Sequence, residues 1–484
     1  MQFDWKRLLE TDKEQRLTGW LFLKLLALIY FAAFYSLSVQ INGLAGPGGI
    51  LPFQELLDNA EHSLGASSAW LRLPTLFWID AGDSALLGST ILGMLLSALL
   101  FFNIRPRLSL ILLFLLYLSL FHAGQIFMSF QWDYLLMETG LLALFVVGGP
   151  SRLVIFMFHW LLFRLRFLSG ISKLLSGDPS WSGMTALNYY FETQPLPHTG
   201  AWYAHQLPDW MLQAGVGLTF FAELVVPFFI FLPRRFRLFA AGITIVMQLL
   251  IIATSNHNFI NLLTILLCLF LLDDRIVGRL LPGWISQRIE SNTQAKRKHG
   301  LGVVVISAVI LSASIPGAIG LSLNTRLPEP LKNWMVQVSH FGVGNVYHIF
   351  PTMQTERHEL IIEGSHDAIN WHPYLFHHKP HELDRRPPFN IPHQPRLDWM
   401  MWFVPPKSRE NLYWFDRFMH NLLTGNPQVT GLLRYDPFPH QPPQYMRVLV
   451  YRYRFTSETE REITGNWWNA EYLGQFHQVA SRRP

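Results

Sequence analysis

Up to residue 321 this chain is a succession of long apolar blocks, and that feature limits its fold more than any other. A helix rises about 1.5 Å per residue, so about 20 apolar residues cross the hydrocarbon of a bilayer, with a tolerance down to roughly 17. Blocks suited to this lie at 17–38, 85–102, 108–126, 134–148, 153–168, 211–232, 235–254, 258–272 and 301–321. The fourth and eighth are short. A re-entrant hairpin over 235–272, turning at Ser255-Asn256-His257-Asn258, would leave seven spans in place of nine without altering their parity. Hydrophobic residues make up 50% of the chain and charged residues 15%, whereas about a quarter of a soluble chain is charged. These values exclude an ordinary soluble enzyme and a disordered chain. The single cysteine, Cys268, sits inside an apolar block, which excludes a disulfide scaffold. The sequence therefore predicts a polytopic α-helical membrane domain over 17–321, an interfacial N-terminus over 1–16 and a β-rich soluble C-terminal domain over 322–484.

The net charge of +5 does not point to nucleic acid, because the basic residues cluster in short loops beside the blocks. Lys6, Arg7, Lys13 and Arg16 precede the first block, and Arg105, Arg107, Arg152, Arg234, Arg235 and Arg237 occupy alternate connections. Arg275, Arg279, Arg288, Lys296, Arg297 and Lys298 precede the last block. The other connections hold only Arg72 and Lys173, apart from Arg164 and Arg166 near a helix end. Basic loops stay in the cytosol, so this bias predicts a cytosolic N-terminus and an outward C-terminal domain. Phe3 to Leu9 reads as a short interfacial helix, and no cleavable signal peptide is apparent. The chain carries no Asn-x-Ser/Thr sequon, which tilts towards a bacterial source.

Two predicted outward loops, 39–84 and 169–210, are rich in turn residues and aromatics. Gly43 to Pro52 demands tight turns. In the C-terminal domain, His358–Gly364, Leu397–Phe403 and Met446–Phe455 read as strands, and Phe415–Leu423 as a short helix. Charged side chains inside the blocks are Lys24, Glu138, His159, Arg164, Arg166 and Glu223. Structural roles suffice for them: Lys24 snorkelling to the cytosolic side, Arg164 and Arg166 to the outer one, and Glu138 and Glu223 pairing with those arginines. His372, His377, His378, His381 and His393 follow no zinc spacing, so no metal is expected. No nucleophile elbow, phosphate-binding loop or dinucleotide fingerprint is present, so the chain leans away from an enzyme.

Gly177-Asp178-Pro179-Ser180-Trp181 and Thr185 to Pro197, with the run Tyr189-Tyr190-Phe191-Glu192-Thr193-Gln194-Pro195, resemble the signature of the lipase maturation factor family. Arg385-Arg386-Pro387-Pro388, Pro392-His393-Gln394-Pro395-Arg396-Leu397-Asp398-Trp399 and Tyr451 to Phe455 resemble that family's C-terminal domain. Gly49 to Pro52 and Leu135 to Gly140 agree, and the resemblance spans about 15–475. It implies a multi-pass protein of the endoplasmic reticulum membrane, or of the cytoplasmic membrane in a bacterium with its domain in the periplasm. It also implies a chaperone-like role in the maturation of secreted clients, lipases among them. The expected client-binding or signature positions are Asp178, Trp181, Tyr190, Glu192, Thr193, Gln194, Pro195, Arg385, Arg386, His393, Gln394, Arg396, Asp398 and Trp399.

Phe167 to Leu174 is also similar, more distantly, to the segment that holds the base lysine of vitamin K-dependent γ-carboxylases. That resemblance implies an alternative: a membrane enzyme with Lys173 as base, Glu138 and His159 near the same cavity, and a quinone or exported polypeptide as substrate. An assembly factor needs no cofactor. A transporter is a third reading, kept by the Asn-rich turn at 255–258.

Overall fold

The computed structural model describes residues 5–284, 287, 289 and 300–481. Phe3 and Asp4 of the expected interfacial segment lie outside the described residues, as do Arg288, Lys296, Arg297 and Lys298 of the last basic loop. Trp5–Leu9 forms a short 3-10 helix.

Seven helices among the described residues are long and apolar enough to cross a membrane: Lys13–Ser38, Asp83–Phe101, Pro106–Ala123, Arg152–Leu175, Asp209–Phe231, Arg234–Thr254 and Leu301–Ser322. They are not the seven that a re-entrant 235–272 would leave. Arg234–Thr254 is full length, and the two that fall short are Gln131–Ala143 and Ile260–Leu271. Both short helices still run between the same two ends of the bundle. The first is continued by turns up to Gly149.

Those ends are fixed by polar contacts. At the basic end, the Asp274 carboxylate accepts the N–H groups of Arg16, Leu17 and Thr18 at 2.8–3.0 Å, and so caps the first span from the start of the distant helix Asp274–Leu280. Arg234 Nε donates to Asp273 at 2.5 Å, and the Asp12 N–H donates to the Pro150 carbonyl at 2.8 Å. The chain segments expected to be cytosolic therefore meet at one end. Lys24 reaches in the same direction, to the Phe101 carbonyl.

At the opposite end sits a four-stranded antiparallel sheet in the order β2-β1-β3-β4, with β1 Arg357–Ser365, β2 His372–Pro373, β3 Tyr445–Phe455 and β4 Trp468–Ser481. Register pairs Leu360 with Val450 and Ile362 with Val448. On this face Leu360, Ile362, Met446 and Val448 pack on Trp414, Phe415, Phe418 and Leu422 of the helix Arg409–Leu423. That helix starts six residues before the sequence expectation, because Ser408 accepts the Asn411 N–H at 3.3 Å and caps it. On the other face Tyr453, Phe455 and Trp468 close over Tyr190, Phe191 and Trp202 of the 169–210 segment.

Two expectations are corrected. Leu397–Phe403 is not a strand. Arg396–Met401 is a helix whose six side chains are all buried, because it is wedged between bundle and sheet and has no solvent face for a strand's alternation to serve. Nor does the chain leave the bundle at 322. The helix Glu329–Ser339 and the loop after it fold back against the spans, where Val338, Val343 and Tyr347 join the bundle core. The reason is electrostatic: this loop supplies backbone partners to charges buried inside the spans.

Candidate functional site

Apart from Lys24, the Lys, Arg and Glu side chains inside the bundle are paired at its sheet end. Arg164 contacts Glu138, and both side chains are fully buried. The second Glu138 oxygen accepts the Gly344 N–H at 2.9 Å, and Arg164 donates to the Asn345 carbonyl at 2.9 Å. Lys173 Nζ donates to Glu223 Oε2 at 2.8 Å, to the Ile349 carbonyl at 2.8 Å and to the Ser169 carbonyl at 3.2 Å. Arg166 approaches the other Glu223 oxygen at 3.4 Å. Glu223 lies on a single π-turn, Phe221–Val225, within the span Asp209–Phe231. Unpaired charges in apolar surroundings are costly, and each of these has an oppositely charged neighbour, with Lys173 and Arg166 sharing the one carboxylate of Glu223.

The pairing of Glu138 and Glu223 with the arginines follows the sequence expectation, whereas Arg164 and Arg166 do not snorkel outward. His159, Glu138 and Lys173 have separate partners. His159 bonds the Phe270 carbonyl at 2.9 Å, Glu138 pairs with Arg164, and Lys173 pairs with Glu223 beneath the Trp181 ring.

The signature residues converge on a different feature, the seam between bundle and sheet domain. Arg396 is its centre. Its guanidinium grips Asp133 with two bonds of 2.7 Å and donates to the Phe127 carbonyl at 3.0 Å. Tyr117 donates to the same carboxylate at 2.6 Å, and the Arg396 N–H donates to Gln40 Oε1 at 2.8 Å. The Gln394 N–H donates to Ser36 Oγ at 2.9 Å, and its carbonyl accepts from the Gln40 amide. His393 Nδ1 lies 2.9 Å from the same Ser36 hydroxyl. Trp399 sets its ring edge-on to Trp132 and Phe130.

Asp398 acts one layer out, where its carboxylate accepts the N–H groups of His378 and Lys379 at 2.6 and 3.0 Å. Arg385 donates to the Phe376 and His377 carbonyls, and Arg386 to Thr199 Oγ1.

The 169–210 segment forms the other half of the seam. Asp178 starts a short helix by accepting from Ser180, and its second oxygen accepts the Met353 N–H at 2.6 Å. Trp181 packs on Phe220. Tyr190 O–H meets Ser255 and His257, each at 2.9 Å. Glu192 accepts the Phe455 N–H at 2.7 Å, and burial pushes its carboxyl pKa up. The Thr193 carbonyl accepts from Trp402, and the Gln194 amide donates to the Thr254 carbonyl. Arg357, at the start of β1, gathers this turn by donating to the carbonyls of Glu192, Gln194 and Pro195.

With Arg396, Asp398 and Trp399 only 1%, 3% and 4% exposed, these side chains cannot meet a client directly; they hold two parts of one chain together. Sequence reasoning missed Asp133, Gln40, Ser36 and Arg357. Asp133 carried a usable signal, as a carboxylate at the head of an apolar block. The other three look ordinary until their partners are known. The Asn-rich turn is also a docking point: Asn256 donates to the Pro388 carbonyl and accepts the Asn390 N–H. Gly43 to Pro52 receives the sheet domain as well, through Asn426 to the Gly48 carbonyl at 2.7 Å and Arg417 to the Ile50 carbonyl at 3.1 Å. Among the described residues no group of three or more His, Cys, Asp or Glu is placed to hold a metal ion.

Comparison with known proteins covers both halves of this seam. Residues 17–279 match the lipase maturation factor transmembrane domain, and residues 343–478 the lipase maturation factor C-terminal domain. The chain is similar to lipase maturation factor 2 of Xenopus tropicalis, 33% identical over an alignment 586 positions long, gaps included, that covers 96% of this chain and 82% of that protein. It is likewise similar to lipase maturation factor 2 of Homo sapiens, 33% identical over 594 positions, covering 96% and 83%. Lipase maturation factor 1 of Bos taurus is 32% identical over 507 positions, covering 96% and 89%. No solved structure matches.

Proposed function

The chain belongs to the lipase maturation factor family, a family of multi-pass membrane proteins, and from this premise we propose that it assists the folding and assembly of secreted client proteins, lipases among them. The observation that carries the reading is the locked seam. A factor that steadies a folding client needs a surface held at a fixed height and angle above the bilayer. The Arg396–Asp133 pair and the backbone bonds around it tie the sheet domain to the spans in that manner. The excess of Lys and Arg at the end of the bundle away from the sheet supports a cytosolic N-terminus and a sheet domain on the lumenal or periplasmic side.

In this reading, client contact falls to the exposed surface beside the seam. A cleft of about 480 Å³ opens there between the Gly43–Pro52 turn and the helix Arg409–Leu423, lined by Pro47, Gly49, Glu55, Tyr413, Arg417 and His420. Tyr413 is 58% exposed, and Arg417 forms a two-bond pair with Glu55 at its rim. Exposed tyrosine beside arginine is the composition of binding hot spots.

The test is co-expression with a secreted lipase, followed by co-purification in mild detergent and assay of secreted lipase activity. Tyr413→Ala is expected to lower client recovery and secreted activity while the factor inserts normally. Unchanged client yield would refute the cleft as the contact surface. Lys173→Ala, scored in parallel for bound quinone, tests the alternative of a lysine-base enzyme. The ion pair with Glu223 favours a structural lysine, and loss of a bound quinone in that variant would reverse this preference.

A further inference from the structure

At the basic end, far from the seam, a cavity of about 600 Å³ opens between the N-terminal turn, the loop at 147–149 and the start of the helix Leu301–Ser322. Its lining is of two kinds. Thr11 and Arg107 are polar, whereas Ile111, Leu144, Val147 and Val303 are apolar. The helix presents its first turn here through Gly302, and its N-cap residue, Gly300, has no side chain to bond the first N–H groups. The N–H groups of a helix's first turn and the aligned peptide dipoles favour an anion at that point.

A second observation is independent of the helix. Thr11 is 8% exposed and lines the cavity, yet its hydroxyl has no hydrogen-bond partner among the described residues. A buried hydroxyl without a protein partner is open to one from water or a ligand. Arg107 is steadied by one bond, to the Val147 carbonyl at 3.2 Å. Asp12, next in the chain, is engaged elsewhere, accepting the Glu14 N–H at 2.9 Å and lying 3.9 Å from Arg152.

We propose that this cavity binds the phosphate of an anionic phospholipid headgroup, with the lipid chains running along its apolar wall into the bilayer. The phosphate would meet Arg107, the Thr11 hydroxyl and the first N–H groups of the helix. A free phosphate ion shares the head chemistry but has no use for Ile111, Leu144 and Val303.

The test uses the full chain purified in mild detergent, titrated with phosphatidylglycerol, phosphatidylcholine or inorganic phosphate and read by native mass spectrometry. Phosphatidylglycerol is expected to bind about tenfold more tightly than phosphatidylcholine, and Arg107→Gln to remove about that factor, the scale of one charge-assisted bond. Thr11→Val should cost a few-fold. Arg235→Gln, a charge at the same end that does not line the cavity, should have no effect. Gly302→Leu probes the space itself, because a Cβ there meets no described atom within 4 Å and leucine favours helix. It should block the lipid by filling the space. Equal affinity for the two lipids, or unchanged binding in both Arg107→Gln and Gly302→Leu, would overturn the proposal. Displacement of the lipid by millimolar inorganic phosphate would overturn the lipid part of it.

Discussion

Replacing Arg396 with methionine tests the seam most directly. The change keeps the backbone N–H bonded to Gln40 and roughly the side-chain length, but leaves the Asp133 carboxylate with only the Tyr117 hydroxyl as side-chain partner. The two side chains are 1% and 0% exposed, so water does not replace the lost partner. Breaking a buried pair from one side typically costs about 3–5 kcal/mol. Protonating the stranded carboxyl sets a ceiling: from an ordinary pKa of about 3.9, neutralisation near pH 7 costs about 4 kcal/mol. The two bounds agree, so docking of the sheet domain should weaken by about 3–4 kcal/mol, roughly a 150- to 900-fold rise in the open population. Asp133→Leu should be worse, because a stranded guanidinium has no neutral form to adopt. The double variant Arg396→Met/Asp133→Leu should recover most of the loss, since a buried pair can be exchanged for apolar side chains at little net cost. Limited proteolysis in detergent reads this equilibrium when opening is fast relative to cleavage. The reasoning is refuted if Arg396→Met speeds release of the sheet domain less than about tenfold, or if the double variant opens as readily as the worse single one.

Gly43→Ala should loosen the same docking from the other side, because its Cβ would lie 2.5 Å from the Gln428 carbonyl oxygen, a backbone atom that cannot swing away; faster proteolysis with normal membrane insertion is the expected result. Acid should destabilise the sheet domain in two stages. Burial pushes His381 and His393 down to about 4, so the stability they contribute is complete above the unfolded value of about 6.5 and is lost as pH falls through about 4. For Glu359, burial alone would raise the carboxyl pKa, but Lys379 and Arg357 outweigh it and hold it below its ordinary value. Its contribution is present above the unfolded value and falls away only at lower pH still. A melting temperature that is flat between pH 7 and pH 4 would contradict the histidine part.

Several features were legible in the residues alone because they depend on local chemistry. The apolar block lengths predicted spans, and the alternation of Met446–Phe455 and His358–Gly364 predicted the paired strands at the centre of the sheet. Charge bias in the loops grouped segments whose described residues meet at one end. Glu138 and Glu223 were legible as ion-pair partners, because an unpaired carboxylate inside a span is too costly to persist. Cover-like segments were misread. Arg396–Met401 alternates well enough to suggest a strand but is buried on every side, and the stretch after 322 looks soluble although it folds back onto the bundle.

The sequence by itself determined that this chain crosses a membrane many times and ends in a sheet-containing domain, since hydrophobic length and period are written residue by residue. Only the tertiary structure decided that the signature residues form an internal seam. Arg396 meets Asp133 across 263 positions, and Gln394 meets Ser36 across 358. No local rule assigns partners at such separations. They are selected when the desolvation of a buried charge must be offset by whichever group the fold brings within about 3 Å.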